Sequence, residues 1–182
     1  MSDSENMKDG EIGELDFTGW PLPDKYLIPL GRITALWNSL EDLLNTSLNK
    51  LSGDNNFSHP VIYSLITHSS FPQRLDSLSS LCDLLKNEHK HLEKHRDVVR
   101  IIKNAQSKRN KFTHNGIILN EKGELEMLTV SARGKLKMEV KPISLVELDR
   151  AAMSIHEAVL ALHELITQKR YSPLWRRKMS KL

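Results

Sequence analysis

Arg109-Asn110-Lys111-Phe112-Thr113-His114, followed at once by Asn115-Gly116, brings a permanent cation, an amide and an imidazole close together in the chain. These groups can carry acid–base chemistry on a phosphodiester without a metal. Cleavage of RNA by its own 2′-hydroxyl needs a base for that hydroxyl, an acid for the leaving 5′-oxygen and a cation to balance the phosphorane. Histidine, with a reference pKa near ~6.5, can fill either proton role. Arginine stays charged and presents a planar fork matched to phosphate oxygens. Asparagine can hold the phosphate or orient the histidine. A single copy supplies one histidine for two proton transfers. Two copies in a symmetric dimer would supply both, with a cleft between them for the strand.

The elements that must position this segment are legible in the apolar periodicity. Ile33, Trp37, Leu40, Leu44, Leu48 and Leu51 recur at helical spacing and predict a helix from about Pro29 to Leu51. Gly53 with Asp54-Asn55-Asn56 ends it. Pro60 opens a short helical piece through Ile62, Leu65 and Ile66, and Pro72 suits the first turn of a third helix carrying Leu75, Leu78, Cys82 and Leu85. The polar stretch from Lys86 to His91 reads as a loop or a fraying end. A fourth helix is predicted from about Leu92 to Phe112, with Val98, Ile102, Ala105, Arg109 and Phe112 on its inner line. Arg109 therefore continues a core-facing stripe, whereas Asn110 and His114, four apart, share another face. Arg109 and His114 lie about 140° apart around the axis and can still converge at the helix end, where Gly116 lets the chain unwind.

Beyond Gly116 the period changes. Ile117–Leu119, Leu125–Val130 and Leu136–Val140 are short runs, the last two alternating. Asn120-Glu121-Lys122-Gly123 and Ala132-Arg133-Gly134 separate them as turns, which predicts an antiparallel hairpin or three-stranded meander. Ser144 and Glu147 form a capping box that starts a last long helix through Leu148, Ala151 or Ala152, Ile155, Val159, Leu162 and Ile166. The expected fold is mainly α: an up-and-down bundle of four to five helices with the small β element before the last one. Three regions follow: an acidic flexible segment over 1–24, a bundle domain over 25–168 with a β insertion at about 117–141, and a basic tail over 169–182. Ile12, Leu15, Phe17 and Trp20 suggest that part of the first segment docks on the body.

Arg109-Asn110-x-x-x-His114 resembles the Arg-x(4–6)-His motif of the HEPN superfamily, the higher-eukaryote and prokaryote nucleotide-binding domains, where a polar residue such as asparagine commonly follows the arginine. The likeness extends over roughly Pro29 to Gln168: a helical bundle, the motif near the end of a late helix, and another long helix after it. The first helix through Trp37 and Glu41 also suits the pattern. The resemblance implies a homodimer whose paired motif helices line a cleft, often a metal-independent endoribonuclease similar in role to toxins, abortive-infection factors and RNA-processing nucleases. A non-catalytic dimeric module for a nucleotide, a nucleic acid or a protein is the alternative. The carry-over is limited to Arg109, Asn110 and His114. The β element is extra relative to the minimal bundle, which leaves partner contacts, including any antitoxin, and the shape of the cleft open.

Each of these residues also has a purely structural explanation. The Arg109 stem can cover the core edge while its head pairs with a carboxylate such as Glu41. His114 can interact with the carbonyls at the helix end, and Asn110 can be a plain surface residue. Arg100, Lys103, Lys108 and Lys111, together with Arg96, form a basic run along the motif helix, either a track for RNA phosphates or a solvated face. His89, His91 and His95 tempt a metal reading, but with no carboxylate completing the set they read as solvated. His156 and His163 on the last helix read as paired or packed. No metal or other cofactor is expected.

Charge and composition bound the partners. The net charge of +3 hides an asymmetry, with seven acids against one lysine in residues 1–24, a balance of −6, and +6 over Lys169–Lys181. A basic body and tail can attract phosphate backbones, or simply aid solubility. Aromatic residues make up only 5% of the chain, too few for a base-stacking platform. One cysteine, Cys82, excludes an intrachain disulfide and reads as a small buried residue. With neither a secretion-signal pattern nor an apolar run of membrane-spanning length, a cytoplasmic protein without membrane partners is expected.

Overall fold

The computed structural model describes residues 22–53, 60–132 and 134–173. The acidic segment up to Pro21, including the apolar residues expected to dock, lies outside the described residues, as do Asp54–His59, Arg133 and the tail from Leu174 onward.

Among the described residues five α-helices and three strands follow in the order α1 (Asp24–Leu51), α2 (Pro60–Thr67), α3 (Phe71–Leu85), a 3-10 turn (Lys90–Lys94), α4 (His95–Thr113), β1 (Gly116–Leu119), β2 (Leu125–Ser131), β3 (Lys137–Pro142) and α5 (Leu145–Thr167). The expected helical bundle with a β-meander before the last helix is the observed fold. α1 packs chiefly on α5, α5 on α4, and α3 closes the ring against α1 and α4. Each long helix turns one apolar stripe inward, and Leu40, Leu44, Leu75, Leu78, Ile102, Leu148, Ile155 and Leu162 meet in a single core.

Two helix starts differ from the periodicity reading. α1 begins at Asp24 and runs through Pro29. The proline removes one N–H and one helical hydrogen bond. Burial of Tyr26 and Pro29, which extend the stripe of Ile33 and Trp37 by about two turns, offsets that loss. The fourth helix starts at His95 rather than Leu92, because residues 90–94 take the tighter 3-10 winding. His95 is buried, and its Nδ1 lies 2.9 Å from the Leu92 carbonyl oxygen. The expectation that it is solvated is therefore corrected: it stands one turn ahead of Val98 on the inward stripe.

Caps and turns behave as their residues require. Ser70 with Gln73 and Ser144 with Glu147 form capping boxes at α3 and α5. Gly53, at φ 86°, closes α1 in the left-handed region that favours glycine. The Asn120 side-chain Oδ1 accepts from the backbone N–H of Lys122 and Glu124, which ties the β1–β2 turn. The sheet order is β1-β2-β3, antiparallel throughout. Leu125 and Met127 are buried from its inner face, and every residue of β3 is exposed.

Candidate functional site

α4 delivers its last turn to the surface next to α1. The helix ends where the His114 N–H donates to the Asn110 carbonyl at 3.3 Å and the Asn115 side-chain amide donates to the Lys111 carbonyl at 2.8 Å. These amides terminate the helix without help from Gly116, whose φ is not positive and which simply begins β1. The expected role of Gly116 in unwinding the chain is thus taken by Asn115.

Arg109, Asn110 and His114 come together in three dimensions. The Arg109 Nη1 donates to Asn110 Oδ1 at 3.2 Å and lies 3.3 Å from His114 Nε2. Because arginine is a donor only, that contact puts the imidazole proton on Nδ1 and leaves Nε2 accepting. The guanidinium carbon sits 5.1 Å from the centroid of the Trp37 ring, within cation–π range. Trp37 is itself buried, with its ring tilted against Phe71 at 4.5 Å. The angular separation of Arg109 and His114 on the helix is therefore bridged by the length of the arginine. Arg109 and Asn110 are half-buried and His114 is exposed.

The carboxylate considered for Arg109 has another partner. Glu41 accepts from Arg74 Nη2 at 2.8 Å, and the same guanidinium donates to Asn45 at 2.7 Å. None of the ion pairs among the described residues involves Arg109. Its charge is held by an aromatic face, an amide oxygen and an imidazole nitrogen, all neutral acceptors that an anion can supplement.

The basic residues of α4 lie elsewhere. Lys111 pairs with Glu147 at 2.8 Å, Lys103 with Asp76 at 3.6 Å and Arg100 with Asp97 at 2.9 Å, while Lys108 donates to Ser154. Lys103 leans toward α3 and Lys108 toward α5, on opposite flanks of the helix. At 100° per residue the four fall within an arc of about 140° on the side of the helix away from Arg109. Glu147 is held below the ordinary carboxylate range, first by the Lys111 hydrogen bond and then by the Ser144 backbone N–H.

Trp37 and Arg74 are the positioning residues that sequence reasoning missed. Trp37 was legible only as a member of the α1 stripe, and its role as a platform depends on how α1 and α4 pack. Arg74 carried no signal, because its claim on Glu41 is set by the register between α1 and α3.

Among the described residues no group of three His, Cys, Asp or Glu side chains is placed to hold a metal ion, His89, His91 and His95 included. His91 lines a groove with Lys50, His89 and Gln168. Burial lowers its pKa, and the neighbouring His89 and Lys50 add to the effect. His163 packs edge-on to Tyr171 and touches Thr167 at 3.1 Å, and His156 is buried, in keeping with packed roles. Cys82 is fully buried, and desolvation pushes its thiol up to about 11. No helix among the described residues is long and apolar enough to cross a membrane. Comparison with known protein families, with curated proteins and with solved structures finds no match for the chain.

Proposed function

We propose that this chain is a metal-independent endoribonuclease of the HEPN type, acting as a homodimer, in which His114 transfers the proton, Arg109 stabilises the phosphorane and Asn110 holds the phosphate. One observation carries the reading. A guanidinium with no carboxylate partner among the described residues is held on Trp37 between Asn110 and His114, at 3.2 and 3.3 Å. An incoming phosphate oxygen would replace these neutral contacts with a charge-assisted, two-pronged one. It would also free His114 Nε2 for proton transfer. A second copy would supply the second histidine.

A non-catalytic binding module built on the same residues is the second reading. The contact of Arg109 with Nε2 favours it, since that nitrogen already faces a donor rather than standing open to a substrate hydroxyl. The full chain, incubated with RNA hairpins carrying single-stranded loops in EDTA, distinguishes the two. The ribonuclease reading expects 2′,3′-cyclic phosphate ends and a loss of cleavage in both His114→Ala and Arg109→Ala. Binding that survives His114→Ala, disappears in Arg109→Ala and is never accompanied by cleavage selects the module. Cleavage undiminished in His114→Ala would sink the catalytic assignment.

A further inference from the structure

β3 is an edge strand, and its free edge has a defined set of backbone groups. The Ile143 N–H donates to the Leu125 carbonyl at 2.8 Å, immediately beyond the ladder in which Pro142 faces Glu126. Odd-numbered positions of β3 therefore direct their backbone groups toward β2, and the even-numbered ones direct theirs outward. Met138 and Val140 direct N–H and C=O groups along that edge that have no backbone partner among the described residues. Pro142, which has no N–H, falls on the outward set, the placement a proline in an edge strand requires.

The side chains of the strand form two rows. Lys137, Glu139 and Lys141 lie on the face shared with buried Met127, while Met138 and Val140 lie on the outward face, shared with Leu128 and Val130. Met138 is 64% exposed, Val140 50% and the adjacent Leu136 71%. Charged residues on an edge ordinarily discourage pairing. Here the signs alternate, which changes the outcome for one specific partner. When β3 is laid antiparallel on a copy of itself and centred on Met138, Lys137 falls opposite the copy's Glu139 and Glu139 opposite the copy's Lys137. Leu136 meets Val140 and Met138 meets Met138. In that register the outward backbone groups form the hydrogen-bonded pairs. The two Lys–Glu pairs occupy the positions between them, where facing residues come closest. Centring on Val140 instead would place Pro142 opposite Met138 and lose a backbone bond.

We propose that β3 pairs with β3 of a second copy of this chain, antiparallel and centred on Met138, so that two three-stranded sheets become one of six strands. Lys141, which pairs with Glu139 of its own strand at 3.0 Å, falls opposite Lys135, which lies just outside the strand; within the strand the Lys137–Glu139 complementarity of the edge with itself favours a second copy as the occupant. β1, which follows His114, is the opposite edge of the sheet, so this pairing leaves the Arg109–His114 site open and stands independently of the ribonuclease reading.

Sedimentation equilibrium on the full chain tests it with the exposed-site variants Lys137→Glu and Glu139→Lys. The wild type should be dimeric through this edge, or tetrameric where the homodimer of the ribonuclease reading forms as well. Each single variant faces itself with two like-charge pairs and should dimerise about tenfold more weakly or worse. An equimolar mixture of the two variants restores both opposite-charge pairs and should return the wild-type affinity as a heterodimer. The double variant Lys137→Glu/Glu139→Lys should self-associate like the wild type, which also shows that the strand tolerates the changes. A monomeric wild type, for instance because another part of the chain covers the edge, overturns the proposal. So does a single variant that self-associates to the same order and as tightly as the wild type, or a mixture that fails to recover.

Discussion

Replacing Trp37 with leucine tests whether the aromatic platform holds the site together. The ring lies 5.1 Å from the Arg109 guanidinium carbon and 4.5 Å from Phe71, and is 3% exposed. Loss of the aromatic pair costs about 0.5–1.5 kcal/mol. The unfilled volume raises the total to about 2–4 kcal/mol, toward the lower end of the range of about 3–5 kcal/mol for truncation to alanine. The part that concerns the site is the coupling to Arg109. A cation–π contact is worth about 0.5–2 kcal/mol according to its exposure, and a half-buried arginine belongs near the middle, at about 1 kcal/mol. Urea unfolding of the wild type, Trp37→Leu, Arg109→Met and the double variant, followed by far-ultraviolet circular dichroism, isolates that term as a double-mutant cycle. Additivity within about 0.3–0.5 kcal/mol, the ordinary error for uncoupled sites, would refute the platform. If the ribonuclease reading also holds, Trp37→Leu should lower kcat about fivefold with KM little changed, because about 1 kcal/mol of positioning is lost in the transition state.

Glu147→Gln should destabilise the protein by about 0.5–1 kcal/mol at neutral pH, a range already discounted for the exposure of its pair with Lys111. Because the folded-state pKa of Glu147 is depressed, its contribution is present above its unfolded value and is lost as pH falls through the folded one. The unfolding free energies of wild type and variant should therefore converge in acid well below the ordinary carboxylate range; a gap that persists there would show that the carboxylate charge is not its source. Cys82, buried and with its thiol raised to about 11, should react with iodoacetamide at least about a hundredfold more slowly in the native protein than in urea. Rapid labelling of the native chain would contradict the packing of α3.

The fold was largely readable because its long helices bury one stripe each. The positions that recur in sequence, such as Leu40, Leu44, Leu78, Ile102, Ile155 and Leu162, are the ones that meet in the core. Local chemistry was equally legible. The capping box at Ser144 and the turn at Gly123 depend on residues a few positions apart and need no tertiary partner. Periodicity misjudged the ends of elements. Whether α1 stops at Pro29 or continues through it depends on what Tyr26 finds to pack against, and whether His95 is wet or dry depends on the neighbouring helices.

The site divides along the same line. Sequence alone determined that Arg109, Asn110 and His114 stand at the end of one helix, since that is a matter of spacing and helical pitch. It also determined that Arg109 points along the buried stripe. Only the tertiary structure decided what the guanidinium rests on and which carboxylates it does not meet. Glu41 belongs to Arg74, Glu147 to Lys111 and Asp76 to Lys103, while Arg109 is left to Trp37 and its two motif partners. Those assignments depend on the rotation and offset of whole helices against one another. A shift of one residue in that register moves a side chain by 100° around the helix axis, and it is core packing that selects the register.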